Sequence, residues 1–412
     1  YEYEVCLTLI SVAGCVSKQC DLAGSTSIVK GKVYVDLNNS CDFDKGDIPV
    51  PGRVLVDAIN YGTTIDSAGN YTIYMGAEDD YVVRYQHVPA LKPTCGSDSL
   101  VITKAKKDSV YFHDFRFEID SSKTDLGIRV GHGRLRRGRL NNVCITLKGN
   151  SYVVKDSVEV ELQFDPLFTV RTSDIPYRIV SPGLLRCKMK SPDFGEMNHG
   201  RIGLLDKAAR LRTGDTIQFV VRLINADDVT YNNTDTVISR IRGPYDPNAK
   251  TSYPENGLTE RVDEVRYLVE FQNIGSAEAQ DVVVYDHLDD LLPIKDIEIT
   301  GTSHPEHFSM EISNGLLKWT FKDINLPDST SDPEGSKGYV TYKAKIAKGF
   351  KSPGDTIHNK AVIYFDFEDG IHTNTASLYI VEKVGIKETE LKAKVLRLYP
   401  SPAKEQLRIE NL

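Results

Sequence analysis

Hydrophobic and polar residues alternate in short runs along almost the whole chain. Residues 29–35, 53–58 and 71–75 are examples, and a period of two is typical of a β-strand with one buried face. Gly, Pro, Asn and Asp separate the runs, as the turns of a β-sandwich require. The best helical candidate, at 204–211, is short. The pattern predicts an all-β protein of tandem immunoglobulin-like β-sandwiches.

Two long segments of the chain repeat one another in order, which indicates a duplicated unit. Three pairs of matching stretches carry the repeat: Gly183-Leu-Leu-Arg-Cys187 with Gly315-Leu-Leu-Lys-Trp319, Gly214-Asp-Thr-Ile217 with Gly354-Asp-Thr-Ile357, and Asn233-Thr234 with Asn374-Thr375. Each repeat is long enough for one sandwich. We therefore expect two related sandwiches at 124–244 and 245–381.

Length and charge narrow the classes of function. A chain of 412 residues suits several domains, and a net charge of -8 argues against a nucleic-acid surface. No apolar run approaches the ~18 residues that a spanning helix requires, so we expect no membrane span. Both ends fall within strand-like alternation, and we expect the chain to be a piece of a longer protein.

The seven cysteines form local groups without C-x-x-C spacing, which favours disulfides and an oxidising compartment over zinc. Folding 1–27 as a hairpin about Ala13-Gly14 places Cys6 opposite Cys20. Cys41 with Cys95 is either a second disulfide or two buried thiols. Cys144 and Cys187 complete the predicted disulfide set, and the odd number leaves the state of Cys15 open.

An acidic loop offers the sharpest candidate site, a calcium site. Its oxygen-bearing side chains occupy positions 1, 3, 5, 7, 9 and 12 of a calcium loop: Asp36, Asn38, Ser40, Asp42, Asp44 and Asp47. Cys41 replaces the usual turn glycine, and Asp47 is shorter than the usual glutamate. A bound Ca²⁺ and a solvated acidic turn without metal are both compatible with the sequence.

The first half of the chain resembles two known modules. Residues 1–27, with Val5-Cys-Leu-Thr-Leu-Ile10 followed by Cys15 and Cys20, are similar to the closing strands of a polycystic-kidney-disease (PKD) domain. Residues 28–121 resemble SdrD B-like and collagen-adhesin (Cna) B-type modules in their order of Val29-Lys-Gly-Lys-Val-Tyr-Val35, the acidic loop and Thr64-Ile-Asp-Ser-Ala-Gly-Asn-Tyr71. The second resemblance implies calcium binding in the acidic loop.

The second half resembles parts of Bacteroidetes surface proteins. Residues 245–381, with Asp246-Pro-Asn-Ala-Lys250 and Ile363-Tyr-Phe-Asp-Phe367, are similar to a C-terminal module related to the DUF11 and CARDB repeats. After a charged linker at 382–394, residues 395–412 look like the start of a type IX secretion sorting domain, with Tyr399-Pro-Ser-Pro-Ala-Lys404 and Ser401 where Asn is usual. This implies export through that secretion machinery to the cell surface or medium.

No nucleophile motif accompanies the histidines, and we expect no enzyme activity. The pairs His113-Asp114, Asp286-His287 and His304 with His307 are predicted to be polar surface groups, 134–139 a solvated basic loop, and Trp319 a core residue. The predicted function is a non-catalytic stalk of a cell-surface adhesin, with other domains of the same protein as partners. The alternatives are the accessory tail of a secreted hydrolase and a module that itself binds glycan or protein.

Overall fold

The all-β prediction is confirmed, because every regular element longer than one turn in the described chain is a strand. The computed structural model describes residues 3–10, 16–23, 26–57, 61–77, 79–86, 88–96, 98–152, 156–206, 210–224, 227–243, 248–254, 263–313, 316–347, 355–380, 397–399 and 408–410. Within these residues we find no helix of the length and hydropathy that a bilayer span needs.

Two hairpins lie at the ends of the chain. Strands β1 (Tyr3–Ile10) and β2 (Val16–Ala23) pair antiparallel, and their register sets Cys6 opposite Cys20. The side chains of these two strands and Cys15 lie outside the described residues, so their disulfide stays a prediction. Strands β32 (Arg397–Tyr399) and β33 (Arg408–Glu410) form the second hairpin. The predicted linker at 382–394 and the rest of the predicted sorting domain lie outside the described residues.

The first sandwich packs a sheet centred on β3 against the sheet β10-β8-β5-β6. Its strands are β3 (Thr26–Val35), β4 (Ile48–Pro49), β5 (Arg53–Val56), β6 (Tyr61–Thr64), β7 (Asn70–Gly76), β8 (Tyr81–Tyr85), β9 (Leu91–Pro93), β10 (Ser99–Ile102), β11 (Val110–Phe112) and β12 (Phe115–Ile119). Alternate residues of these strands, such as Val33, Val54 and Phe115, meet in one apolar core.

The second sandwich packs the sheet β13-β14-β19-β16 against the sheet β17-β18-β15-β20-β21. Its strands are β13 (Leu126–His132), β14 (Leu140–Gly149), β15 (Ser157–Gln163), β16 (Phe168–Ser173), β17 (Tyr177–Ser181), β18 (Leu184–Lys190), β19 (Met197–Asp206), β20 (Thr216–Leu223) and β21 (Thr234–Arg240). The prediction of a short helix at 204–211 is wrong at the start of that range, because Leu204 and Leu205 continue β19 beside β14.

The third sandwich packs the sheet β22-β23-β28-β25 against a sheet in which β24 lies between β27 and β29. Its strands are β22 (Ala249–Tyr253), β23 (Glu264–Gln272), β24 (Val282–His287), β25 (Glu298–Thr302), β26 (Phe308–Ser313), β27 (Leu316–Phe321), β28 (Lys337–Lys345), β29 (Thr356–Phe365), β30 (Ile371–His372) and β31 (Ala376–Tyr379). Trp319 is fully buried in this core, as predicted.

The predicted pairing of Cys144 with Cys187 is wrong, and both thiols are free and buried. Neighbours Val143 and Ile145 point into the core of the second sandwich, so the period of two turns Cys144 to the opposite face of β14. There its Sγ lies 3.8 Å from both Thr146 Oγ1 and His199 Nδ1. Cys187 belongs to the other sheet and faces the core, so the two sulfurs lie on opposite sides of the β14 sheet.

The first and third sandwiches share one continuous sheet. Strand β6 of the first sandwich pairs with β26 of the third. The sheet β10-β8-β5-β6 and the sheet that contains β24 are thereby joined edge to edge into one sheet of ten strands. The Arg53 guanidinium crosses the junction and donates to the carbonyls of Ile294 and Ile297 at 2.5 and 2.7 Å. Leu55 of the first sandwich packs against the core of the third.

The second sandwich contacts both of the others. Arg129 pairs with Glu298, Arg266 with Asp235, and Arg134 with Glu270. On its other side Tyr152 and Phe194 stack at 4.3 Å and pack against the core of the first sandwich. The three sandwiches therefore form one packed block, an arrangement that the alternation of residues along the strands does not reveal.

Candidate functional site

The acidic loop between β3 and β4 brings three of the six predicted calcium ligands into contact with one another. Asp44 Oδ2 accepts hydrogen bonds from Asn38 Nδ2 at 2.9 Å and from Ser40 Oγ at 3.0 Å. Asp36 accepts the backbone N–H groups of Ser40 and Cys41, and Asp47 accepts that of Asp44. Asn38, Ser40 and Asp44 thus contact one another through their side chains, whereas Asp36 and Asp47 bond the backbone of the loop.

The remaining position, Asp42, contributes its backbone rather than its side chain. Its carbonyl oxygen accepts a hydrogen bond from Ser40 Oγ at 2.9 Å, and position 7 of a calcium loop supplies a carbonyl. Cys41 adopts a φ of 67°, the left-handed conformation for which glycine is usual at position 6. The backbone at these two positions therefore matches a calcium loop, whereas the carboxylates of Asp36, Asp44 and Asp47 do not all lie within 4.8 Å of one another.

A disulfide between Cys41 and Cys95 fixes the loop to the segment that follows β9, the edge strand of the sheet centred on β3. This prediction is confirmed, and the alternative of two buried thiols is wrong for this pair. The two cysteines bracket 54 residues, and Cys95 Sγ lies 3.7 Å from Asp36 Oδ2. Because the sulfurs are bonded to each other, they are not thiolate ligands, and the donor set of the loop is oxygen.

The histidine–carboxylate pairs do not assemble into a catalytic group among the described residues. Two serine–histidine contacts occur, Ser303 Oγ to His304 Nδ1 at 2.8 Å and Ser377 Oγ to His358 Nδ1 at 2.9 Å. Ser303 Oγ also bonds the backbone of Tyr339. The Asp289 carboxylate accepts the backbone N–H of His358 rather than a hydrogen bond from its ring. Neither pair has the oriented base that activates a serine.

The described surface has a polar cleft between the second and third sandwiches, with a volume of about 300 Å³. Asp174 and Arg201 line it and hold each other through two hydrogen bonds. Arg201 also donates to the Ser303 carbonyl at 2.9 Å. The charges in the cleft are therefore already paired with each other.

Two predictions of surface polarity are wrong. The side chain of Arg134, in the predicted basic loop, is 8% exposed because it pairs with Glu270 of the third sandwich. Asp286 is fully buried, since it continues the inward face that Val282 and Val284 establish on β24. The same alternation in the sequence could have placed Asp286 in the core.

Asp286 belongs to a buried polar cluster that the sequence analysis missed. Lys250 Nζ contacts Asp286 Oδ2, and it donates to Tyr342 Oη at 2.9 Å. Tyr342 Oη donates to Asp286 Oδ2 at 2.8 Å, and Asn359 Nδ2 donates to Tyr342 Oη at 2.9 Å. Burial lowers the pKa of Lys250 to about 8, against the opposing effect of Asp286. Burial likewise raises the pKa of Tyr342 well above its usual value.

Comparison with known proteins gives a match to a family model in the third sandwich. Residues 246–379 match the family model described as a domain of unknown function, DUF7619. No curated protein matches the chain. The predicted resemblances to PKD, SdrD B-like, DUF11 and CARDB modules and to a type IX sorting domain stay predictions.

Among solved structures, the chain is similar at a distance to bacterial β-sandwich domains. The C-terminal domain of the Streptococcus pyogenes antigen I/II-family protein AspA is 10% identical, with a TM-score of 0.24, over 62% of this chain and 99% of that one. The Enterococcus faecalis adhesin ACE is 13% identical, with a TM-score of 0.23, over 63% and 96%. A cohesin of Acetivibrio cellulolyticus scaffoldin B is 11% identical, with a TM-score of 0.24, over 28% and 98%.

Proposed function

We propose that this chain is a non-catalytic structural segment of a secreted or cell-surface protein, in which three sandwiches act as one rigid block. The observation that carries the proposal is the junction of the first and third sandwiches through one ten-stranded sheet. Independent modules on flexible linkers would bury little of each other. Here Arg53, Arg129 and Arg134 each cross between sandwiches.

A rigid block suits a stalk that holds another domain of the same protein away from a cell. In more detail, we propose that the whole protein is an adhesin and that type IX secretion exports it. The alternative is that this chain is the accessory tail of a secreted hydrolase. To test export, the complete native C-terminus is fused to a reporter in a host with type IX secretion. We expect the reporter at the surface or in the medium, and retention inside the cell would contradict this part.

We further propose that the acidic loop binds Ca²⁺ and becomes stiffer when it does. Asp36, Asp44 and Asp47 repel one another, and a divalent cation would convert that repulsion into attraction. Asn38, Ser40 and the Asp42 carbonyl would complete the oxygen ligands. The support is the set of contacts in which Asn38 Nδ2 and Ser40 Oγ both reach Asp44 Oδ2, and Ser40 Oγ also bonds the Asp42 carbonyl.

The test is thermal unfolding of the disulfide-intact chain in calcium and in chelator. At 100 times the dissociation constant, the bound ion should add about 2.7 kcal/mol to the stability of the state that holds it. Asp44→Asn should abolish most of the shift, whereas Asp66→Asn, in an acidic turn elsewhere in the first sandwich, should retain it. The same unfolding midpoint in millimolar calcium and in chelator would contradict the calcium proposal and leave the structural one standing.

A further inference from the structure

The buried polar cluster of the third sandwich costs free energy of folding, and the fold of the sandwich does not require such a cluster. Lys250, Asp286 and Asn359 are each at most 1% exposed. Burying a charged pair costs free energy that well-packed apolar side chains avoid. Asp286 Oδ1 and Asn359 Oδ1 are also buried without a hydrogen-bond partner.

The second sandwich shows what the same positions hold when the cluster is absent. On β24, Asp286 lies opposite Leu317 and Ala361. On the matching strand β15, Leu162 lies opposite Leu185 and Val221. Two residues before Val221, in the place of Asn359, stands Phe219, and both Leu162 and Phe219 are fully buried in an apolar core.

We propose that this cluster is an autocatalytic cross-linking site in which Lys250 Nζ forms an amide bond with the side-chain carbonyl carbon of Asn359. Lys250 lies on β22 and Tyr342 on β28, in one sheet, whereas Asp286 and Asn359 lie on β24 and β29, in the other. The bond would join the two sheets covalently, near the first and last strands of the sandwich.

The hydrogen bonds of the cluster provide a route for every proton. Asp286 takes a proton from the Lys250 ammonium, and the neutral Nζ attacks the Asn359 carbonyl carbon. Asp286 passes this first proton on towards Nδ2 and then accepts the second proton, which Nζ loses as the carbon–Nδ2 bond breaks. One proton reaches Nδ2 through Tyr342 Oη, which contacts both Asp286 Oδ2 and Asn359 Nδ2. Nδ2 leaves as ammonia, the other proton leaves with it as ammonium, and Asp286 ends as a carboxylate.

The surroundings favour this reaction over the alternatives. Lys250 Nζ lies 4.7 Å from the ring centroid of Tyr267 and 5.3 Å from that of Tyr342, and Trp319 packs on Tyr342. These rings exclude the water that would hydrolyse the amide of Asn359 instead. The pKa of Lys250, lowered by burial to about 8, makes the neutral amine more accessible than it is for a lysine in water. Attack on Asp286 itself would require its protonation and the loss of water.

The decisive experiment is high-resolution mass spectrometry of the purified, folded full chain after reduction and denaturation. We expect a mass below that of the sequence by one ammonia, and a branched proteolytic peptide that contains both Lys250 and Asn359. The full sequence mass in folded wild-type protein would overturn the proposal. Loss of one water with a branch at Asp286 would overturn the assignment of Asn359 as the acceptor.

Variants test the role of each group. Asp286→Asn, Lys250→Arg and Asn359→Ala should each show the sequence mass with no branch, whereas Asp290→Asn, an exposed carboxylate four residues beyond Asp286, should still lose one ammonia. A cross-linked Asp286→Asn protein would show that Asp286 is not the base. If a variant fails to fold, the wild-type mass still decides. The result does not depend on the proposed surface role, because the reaction needs only the folded sandwich.

Discussion

Arg53 shows how single side chains hold the sandwiches together. Its guanidinium donates to two carbonyls of the third sandwich, and burial lowers its pKa. Removing the donors leaves those carbonyls without partners, which costs about 1–3 kcal/mol. We therefore expect Arg53→Ala to lower the free energy of unfolding by about 2 kcal/mol in urea titrations followed by Trp319 fluorescence. Arg84→Ala, which breaks an exposed ion pair with Asp57, is the matched control and should change little.

Buried histidines give the block a defined sensitivity to acid. Burial lowers the pKa of His132 to about 4, and those of His199 and His304 likewise. Each folded pKa lies below the unfolded value of about 6.5, so the unfolded state binds protons first as the pH falls. The stabilisation is complete above pH 6.5 and is lost progressively down to about pH 4.

The corresponding prediction is a falling unfolding midpoint between pH 7 and pH 4, measured by circular dichroism. His132→Phe should reduce that slope, because a phenylalanine cannot take up a proton and fits beside Phe219, 5.5 Å from the His132 ring. An unchanged slope in this variant would show that other groups control the acid sensitivity.

At the scale of elements, the close packing of β13 against the third sandwich depends on glycines. A Cβ on Gly131 would lie 2.4 Å from Thr341 Oγ1 and 2.8 Å from the Thr300 carbonyl oxygen. Gly131→Ala should therefore push β13 and β25 apart and destabilise the chain by about 1–3 kcal/mol in the same urea titrations. Gly243→Ala, where a Cβ would meet nothing within 4 Å, is the control. Equal effects of the two substitutions would show that close approach is not the cause.

Alternation along the strands allowed the all-β fold and the disulfide-linked loop to be predicted, because strand periodicity and local cysteine spacing are properties of neighbouring residues. The contacts between sandwiches could not be predicted in this way. Arg129 and Glu298 are far apart in sequence, and each resembles an ordinary exposed charge on its own strand. Cys144 was assigned wrongly for a related reason, since the face it occupies became buried only through the third sandwich.

Within the third sandwich, only part of the buried polar cluster could be predicted from sequence patterns. Asp286 follows Val282 and Val284 at a spacing of two, so its inward direction was predictable. Its contact with Lys250 was not, because β22 and β24 belong to opposite sheets. Only the folded sandwich brings the amine, the carboxylate and the amide together.

For the whole molecule, the central claim is that the three sandwiches form one cooperative unit, and calorimetric unfolding of the full chain tests it most directly. We expect one transition for the three sandwiches, because each is stabilised by contacts with the other two. A variant with Glu298→Gln, Asp235→Asn and Glu270→Gln, which weakens the ion pairs of the second sandwich with the third, should split it. Separate transitions in the wild-type chain, unaffected by these substitutions, would contradict the account.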